Sequence, residues 1–181
     1  MFNISDFSYH LAKTGTLQNN KFEIIFLPPK GLLNDTSLPV KDLYTYRASS
    51  VKLPGINFDN QNTYRYGIGP QEMFPTNVYF TPTTITFLET EKSEIWKFIS
   101  KWMNLIFEFS SSNGYGDTPR YTMEYKSEYA IDMGIIVYDN SAKVSNKIIL
   151  KEAFPVELAD TSMSWGDKSK LFETQTSFTF R

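Results

Sequence analysis

The chain has 181 residues and no cysteine, and this length suits one domain with a sizeable buried core. The absence of cysteine excludes disulfides, thiolate nucleophiles and Cys-ligated zinc, and the single histidine, His10, argues against Ser-His-Asp and Cys-His enzymes. The net charge of −2 argues against tight binding to nucleic-acid phosphates, which requires a basic patch. Aromatic residues make up 16% of the chain and favour strands and interfaces.

The N-terminal region predicts neither a secretory signal nor a membrane anchor. The first residues, MFNISDF, lack a basic region followed by an apolar one. No apolar run in the sequence approaches the roughly 18–20 residues of a membrane span. Residues 1–20 are polar and without a sustained period, which predicts an arm that is mobile until something holds it. A single domain is expected at 21–181.

The first half of the domain predicts strands separated by long loops. Apolar residues alternate in 21–27, which predicts a strand, and a loop is expected at 28–42. A polar strand is predicted at 43–53, ending in a Pro54-Gly55 turn. The polar stretch 56–75 predicts a long loop, either functional or disordered.

Two further strands and a helix follow. Strands are predicted at 77–80 and 83–88. Helical spacing of apolar residues predicts a helix at 91–107. Thr90 is the expected N-cap of this helix.

The last part of the chain returns to strands. The run 110–119 predicts a glycine-rich loop, and strands are expected at 129–138, 143–151, 156–165 and 171–180. A slip in the apolar pattern predicts a β-bulge near Ala159-Asp160. The fold class predicted is therefore mainly β: an antiparallel β-sandwich or barrel with one packed α-helix.

The motifs that would indicate enzyme chemistry are weak. Two isolated Gly-x-Gly pieces, at 67–69 and 114–116, match no nucleotide-binding motif and predict turns. The run 59–62 lacks the glycine and glutamate of a calcium loop. Carboxylates at Asp132, Glu152, Glu157 and Asp160 lie on or beside predicted strands, and solvent-facing charge is the favoured interpretation over a glycosidase pair. We expect no enzyme activity, catalytic residue, metal or cofactor.

Long β-branched and aromatic strands leave exposed edges in a monomer, which is an aggregation hazard. Closure with neighbouring subunits removes such edges. The strands therefore predict an oligomer.

The order of several segments resembles that of the tail tube proteins of contractile-tailed bacteriophages, over nearly the whole chain. The segments that carry the resemblance are KFEIIFL (21–27), RASSVKLPG (47–55), YRYG (64–67), Phe74-Pro75, the helix with Trp102, AFPV (153–156), Ser164-Trp165 and SFTF (177–180). The 28–42 and 110–119 segments are longer than is usual in this family.

The resemblance implies a structural role. Such proteins form hexameric rings in which one sheet of each subunit joins a continuous barrel around a lumen, and type VI secretion tubes share the fold. Rings stack into a tube inside a contractile sheath, and DNA passes through it as transient cargo. The implied partners are further copies of the chain, the sheath protein, and baseplate and tail terminator proteins. The implied location is the virion tail, assembled in the host cytoplasm.

Segments 1–20 and 54–75 are the predicted ring-stacking elements, since ordering only on stacking would delay polymerisation until a template is present. The candidate inter-subunit residues are Phe2, Phe7, Tyr9, Leu53, Pro54, Gly55, Tyr64, Tyr66, Gly67 and Phe74. The helix is expected outside the barrel, covering the apolar face of the sheet.

Two alternatives stay open. One is a tube-like baseplate protein that initiates the tube, which copy number in the particle would distinguish from the main tube subunit. The other is a small enzyme or monomeric ligand-binding β-barrel, which would stay monomeric at all concentrations.

Overall fold

The computed structural model describes residues 4, 8, 9, 12, 13, 15, 17, 18, 20–33, 45, 47–64, 67–110, 120–166 and 170–181. The strands are β1 (Phe22–Phe26), β2 (Ala48–Lys52), β3 (Ile56–Thr63), β4 (Glu72–Phe80), β5 (Thr83–Leu88), β6 (Phe107–Ser110), β7 (Arg120–Met123), β8 (Ile131–Tyr138), β9 (Val144–Leu158) and β10 (Glu173–Thr179). The helices are α1 (Glu94–Ile106), the one-turn α2 (Lys126–Tyr129) and a short 3₁₀ helix (Lys30–Leu32). Among the described residues, strands predominate and there is one main helix, which confirms the predicted mainly β fold class.

Six strands form one antiparallel sheet in the order β1-β8-β9-β10-β5-β2. The hairpins β3–β4 and β6–β7 are separate two-stranded sheets. The 15-residue strand β9 belongs to both halves of the large sheet, because it pairs with β8 early and with β10 late. The edges of the sheet are β1 and β2, at opposite ends.

Alternation places one face of the large sheet in the core. Ile24 and Phe26 of β1 are buried while Ile25 between them is exposed, and β5 buries Ile85 and Phe87 as predicted. These β-branched and aromatic residues suit a pleated surface with one buried face.

Helix α1 covers this buried face. Ile95, Phe98, Ile99 and Trp102 are fully buried on one side of the helix, at helical spacing. The Trp102 ring packs against Phe98 and Phe178, with centroids 5.7 and 5.8 Å away. The helix is thus a layer on the sheet, as the sequence predicted.

The start of α1 differs slightly from the prediction. Ser93, rather than Thr90, is the residue that precedes the first helical position, and it has φ = 51°. The Thr90 hydroxyl nevertheless accepts a hydrogen bond from the Glu94 N–H at 3.2 Å. Thr90 therefore satisfies a donor of the first turn from outside the helix.

The loop predicted at 56–75 is wrong, because most of it is the β3–β4 hairpin. The Asn, Asp and Gln residues of β3 are poor strand formers and conceal the pattern. Cross-strand pairing with β4 over eight residue pairs overrides this local preference.

The boundaries of five other predicted strands are wrong. Of residues 43–53, the structure describes strand only from Ala48, since residues 45 and 47 are helical. Residues 126–129 form α2 rather than the start of β8. Segments 143–151 and 156–165 are one strand that ends at Leu158, and the last strand begins at Glu173 rather than at 171.

The β-bulge predicted near Ala159-Asp160 is wrong, because β9 ends at Leu158 and the slip in the apolar pattern lies beyond the strand. The bulges of β9 lie earlier in the strand. Lys151 and Glu152 together oppose Asp132 of β8, and Val156 is inserted where the register with β10 shifts. Glu152 adopts φ = 51°, the left-handed conformation that suits an extra residue in a strand.

Candidate assembly surfaces

The β3–β4 hairpin continues the β2–β5 ribbon beyond the sheet. At the junction, Thr81 N–H donates to the Gly55 carbonyl at 3.0 Å, and Gly55 N–H donates to Thr81 Oγ1 at 2.8 Å. A Cβ on Gly55 would come within 3.2 Å of that hydroxyl oxygen, so the close contact suits glycine. The eight residues of β3 extend the ribbon by roughly 26 Å.

The hairpin has an apolar and a polar face, and both are exposed. Ile56 pairs with Phe80 and Phe58 with Val78, so these four side chains share one face, with exposures between 46% and 62%. The opposite face carries Asn57, Asp59, Asn77 and Tyr79. We call the first set the hairpin apolar face.

Among the described residues, the ring contact between the hairpin and the large sheet lies at the base of the hairpin. The Phe80 ring packs on Phe180 with centroids 5.7 Å apart. Toward the tip, Gln71 Nε2 donates to the Tyr64 hydroxyl at 2.6 Å, and Gly67 and Gly69 have positive φ. A two-stranded hairpin with both faces in water is marginally stable by itself, so its exposure points to a partner.

The predicted inter-subunit residues are partly brought together. Leu53, Tyr64 and Phe74 are exposed on or beside the hairpin, and Pro54 and Gly55 form its junction. Gly67 lies in the turn at the tip. Tyr9 is 63% exposed, while Phe2, Phe7 and Tyr66 lie outside the described residues.

Four residues of the hairpin apolar face were missed, namely Ile56, Phe58, Val78 and Phe80. The alternation in INFD and NVYF is the signal that could have found them. A polar-loop interpretation of 56–75 hid the first two, because the sequence does not show that the two short runs pair.

The outer face of β9-β10-β5-β2 is rich in hydroxyl and amide groups. The register aligns Glu157, Ser177, Thr84 and Lys52 in one row across the four strands. Ser177 Oγ donates to Glu157 Oε2 at 3.2 Å and lies 3.4 Å from Thr84 Oγ1. Ser50, Thr86 and Gln175 form a neighbouring row. We call this surface the hydroxyl face.

The β9–β10 connection carries exposed apolar residues. Trp165 is fully exposed, and Met163 and Leu171 are 80% and 70% exposed. Between this connection and the hydroxyl face lies an open cleft of about 510 Å³, with Thr86 and Gln175 in its wall. Exposed tryptophan is typical of protein interfaces.

Charged residues meet at the β9 bulge. Lys151 Nζ donates to Asp132, whose other carboxylate oxygen accepts the Glu152 N–H at 3.2 Å. These two bonds hold the pKa of Asp132 below its usual value. Lys126, 2.5 Å from Glu152, lowers the pKa of that carboxyl, with a smaller contribution from Arg181. The carboxylates are engaged in ion pairs that fix the bulge.

The described residues contain neither a cluster of metal ligands nor a membrane-spanning helix. Across the part of the chain that the structure describes, no group of three or more His, Cys, Asp or Glu side chains could hold a metal ion. Within the same residues, no helix has the length and apolarity needed to cross a membrane. Trp102 is a core residue and Trp96 is 44% exposed on α1, while His10 lies outside the described residues.

Comparison with known proteins decides the family. Residues 17–181 match the model of the phage tail tube protein family. This chain belongs to that family. No curated protein sequence matches the chain.

Solved structures share the tail tube fold at low sequence identity. A chain of the anti-feeding prophage baseplate, a six-fold symmetrised cryo-EM structure, is 8% identical, with 93% of each chain covered and a TM-score of 0.64. A chain of the PVC sheath–tube complex, an extracellular contractile injection system in its extended state, is 16% identical, with 94% and 91% covered and a TM-score of 0.57. A chain of the anti-feeding prophage tube-terminating cap is 16% identical, with 91% and 87% covered and a TM-score of 0.58. The tail tube fold therefore spans nearly the full length of this chain.

Proposed function

We propose that this chain is a structural, non-enzymatic subunit that forms hexameric rings, and that the rings stack into the inner tube of a contractile tail. Family membership supports the tube, and the fold is shared with chains from sheath–tube, terminator and baseplate assemblies. The single observation that carries the proposal is the β3–β4 hairpin, which projects from the sheet with both faces exposed.

In an assembly, a neighbouring subunit can cover the exposed apolar side chains of this hairpin. Exposed apolar side chains on the hairpin apolar face lose contact with water only when another surface covers them. Among the described residues, β1 and β2 are the edge strands of the large sheet, and neighbouring copies can pair with such edges.

The hydroxyl face suits the wall of a conduit. Its side chains are polar, and the charges in its main row, Glu157 and Lys52, cancel. DNA binds tightly where cationic side chains displace its counterions. A lumen lined by hydroxyl and amide groups would let DNA pass as cargo without retaining it.

The ends of the hairpin and the N-terminal arm are the proposed stacking elements between rings. Tyr64, Gly67 and Phe74 lie in the half of the hairpin farthest from the sheet. The arm, residues 1–20, contributes Tyr9 and the predicted residues Phe2 and Phe7. The further partners are the sheath, baseplate and terminator proteins, in a particle assembled in the host cytoplasm.

Replacement of the hairpin tests the proposal. Residues 56–80 are exchanged for Asn-Gly, which joins Gly55 to Thr81 across their existing backbone hydrogen bond. We expect a folded subunit that forms neither rings nor tubes by negative-stain microscopy, while the parent forms both. Tubes of normal length from the shortened chain would contradict the role of the hairpin.

A finer pair of variants separates stacking from ring formation. Phe74→Ala at the far half of the hairpin should leave rings intact and shorten tubes. Deleting residues 1–15 should leave a folded subunit that no longer forms long tubes.

A parent chain that stays monomeric at every concentration would overturn the proposal and favour the monomeric β-barrel.

The baseplate initiator is the second candidate, and the 0.64 TM-score to a baseplate chain favours testing it. Quantitative mass spectrometry of purified particles distinguishes the two roles. A tube subunit is present in many rings, whereas an initiator contributes one ring.

A further inference from the structure

The outer face of strands β1, β8 and β9 carries a second apolar surface. Cross-strand pairing aligns Ile25, Gly134 and Ile149 in one row and Glu23, Ile136 and Lys147 in the next. Ile25 and Ile149 are 44% and 50% exposed. With Leu27, 52% exposed, these residues line an open cleft of about 580 Å³. We call Ile25, Leu27, Gly134, Ile136 and Ile149 the isoleucine strip.

Gly134 makes a depression in the middle of the strip. The described residues leave room for a side chain at this position, since among them a Cβ there would meet only the Ile25 carbonyl oxygen at 3.7 Å and the Ile25 Cβ at 4.0 Å. These are ordinary van der Waals distances, and Gly134 does not have positive φ. The position therefore does not require glycine for its own backbone, and the missing side chain leaves room for another molecule.

The carboxylates beside the strip are already bonded. Asp132 accepts from Lys151, and Glu23 accepts a hydrogen bond from the Tyr138 hydroxyl at 2.5 Å. If an apolar surface covers the strip, neither carboxylate is therefore left without a hydrogen-bond partner. Lys147, at the end of the row with Ile136, also lines the cleft, and its long side chain can keep the ammonium group in water at the rim. An uncharged apolar surface is therefore the fitting occupant.

The hairpin apolar face has these properties. Its four residues, Ile56, Phe58, Val78 and Phe80, are uncharged. The residues that continue the same side of the hairpin toward the tip, Asn60, Asn62, Met73 and Pro75, are uncharged as well. It is a twisted two-stranded surface, and the strip is a three-stranded one, so the two can pack face to face.

The two surfaces lie at opposite ends of the same sheet. The hairpin extends the β2–β5 ribbon at one edge, whereas the strip lies on the last three strands at the other edge. Contact between them therefore joins two copies head to tail, and such contacts generate a closed ring when the rotation closes.

The exposed apolar area supplies part of a ring contact. The four side chains of the hairpin apolar face and Ile25, Leu27 and Ile149 of the strip each expose 44–62% of their surface. Together they offer roughly 600 Å² over both sides of one contact, taking about 180 Å² for a large apolar side chain. This is about half of the roughly 1,200 Å² at the lower bound for stable interfaces, so other surfaces of the two copies complete the ring interface.

We propose that the hairpin apolar face of one copy packs on the isoleucine strip of the adjacent copy in the ring, with a hairpin side chain seated over Gly134. This inference rests on the proposed function, because it names the surfaces that join the subunits of one ring.

Filling the depression tests the contact. Gly134→Ala and Gly134→Val add one and three carbon atoms at a site that the subunit itself leaves open. Since valine favours strands, the melting temperature should stay unchanged or rise. Ring formation, measured by sedimentation velocity over a concentration series, should require at least tenfold more protein for Gly134→Val, with Gly134→Ala in between.

Cross-linking tests the same contact without relying on that variant. The chain has no cysteine, so Phe58→Cys combined with Ile149→Cys introduces one thiol on each surface. A short bismaleimide should then produce a ladder of covalent oligomers in assembled rings. The matched control, Asn57→Cys with Ile149→Cys, places the thiol on the opposite face of the hairpin and should give little ladder.

The results separate this inference from the function on which it rests. If the parent forms rings, Gly134→Val forms them equally well and the two thiol pairs cross-link alike, the docking contact is wrong and the tube assignment stands. If the parent forms no ring at any concentration, both the docking contact and the tube assignment are wrong.

Discussion

Trp102 should be the side chain of helix α1 on which the stability of the subunit depends most. It is fully buried, its ring lies among Phe26, Phe98 and Phe178, and its Nε1–H donates to the Tyr129 carbonyl at 2.8 Å. Truncation to alanine removes these packing contacts and leaves a cavity between the helix and the sheet. Trp102→Ala should therefore lower the free energy of unfolding by about 3–5 kcal/mol.

Trp96 is the matched control on the same helix. It is 44% exposed, so Trp96→Ala removes less buried surface than Trp102→Ala, leaves no enclosed cavity and should cost at least about 1 kcal/mol less. Trp102→Phe keeps most of the packing but leaves the Tyr129 carbonyl without its donor, and should cost about 1–3 kcal/mol. Urea denaturation followed by circular dichroism, on hairpin-shortened subunits that do not assemble, gives all three values. Equal losses for Trp96→Ala and Trp102→Ala would refute the assignment of α1 as a layer packed through Trp102.

Three further predictions concern the bulge, a turn and the start of α1. The pKa values of Asp132 and Glu152 are lowered in the folded subunit, so their ion pairs stabilise it at pH values above the unfolded pKa values near 4. This stability is lost as the pH falls further. In melting experiments at each pH, the doubly neutralised variant Asp132→Asn/Glu152→Gln should therefore lose less stability between pH 7 and pH 3 than the parent. Ala142 has φ = 57°, so Ala142→Gly should raise the free energy of unfolding by about 0.5–1 kcal/mol, and a decrease would argue against that turn conformation. Thr90→Val removes the acceptor of the Glu94 N–H and should cost about 1 kcal/mol in urea denaturation, whereas no change would show that water replaces it.

The assembly surfaces differ in how far the sequence could indicate them. The turn residues Pro54 and Gly55 and the aromatic residues Tyr64 and Phe74 were identified from the chain itself, through turn chemistry and the resemblance to tail tube proteins. The isoleucine strip was not, because Ile25 and Ile149 lie in runs that are apolar on both faces of the strand. In FEIIF, alternation distinguishes the two faces only once a helix is known to cover one of them.

The fold class, the strand β1, the alternation in β5 and the position of α1 could all be predicted from the amino-acid sequence, because each depends on a period of apolar residues within one short segment. The sequence did not reveal that β3 and β4 form a hairpin, that β9 is one strand with two bulges, or that the hairpin apolar face and the isoleucine strip lie at opposite edges of one sheet. These features depend on pairing between segments far apart in the chain, and the free energy of such pairing is not encoded in either segment alone.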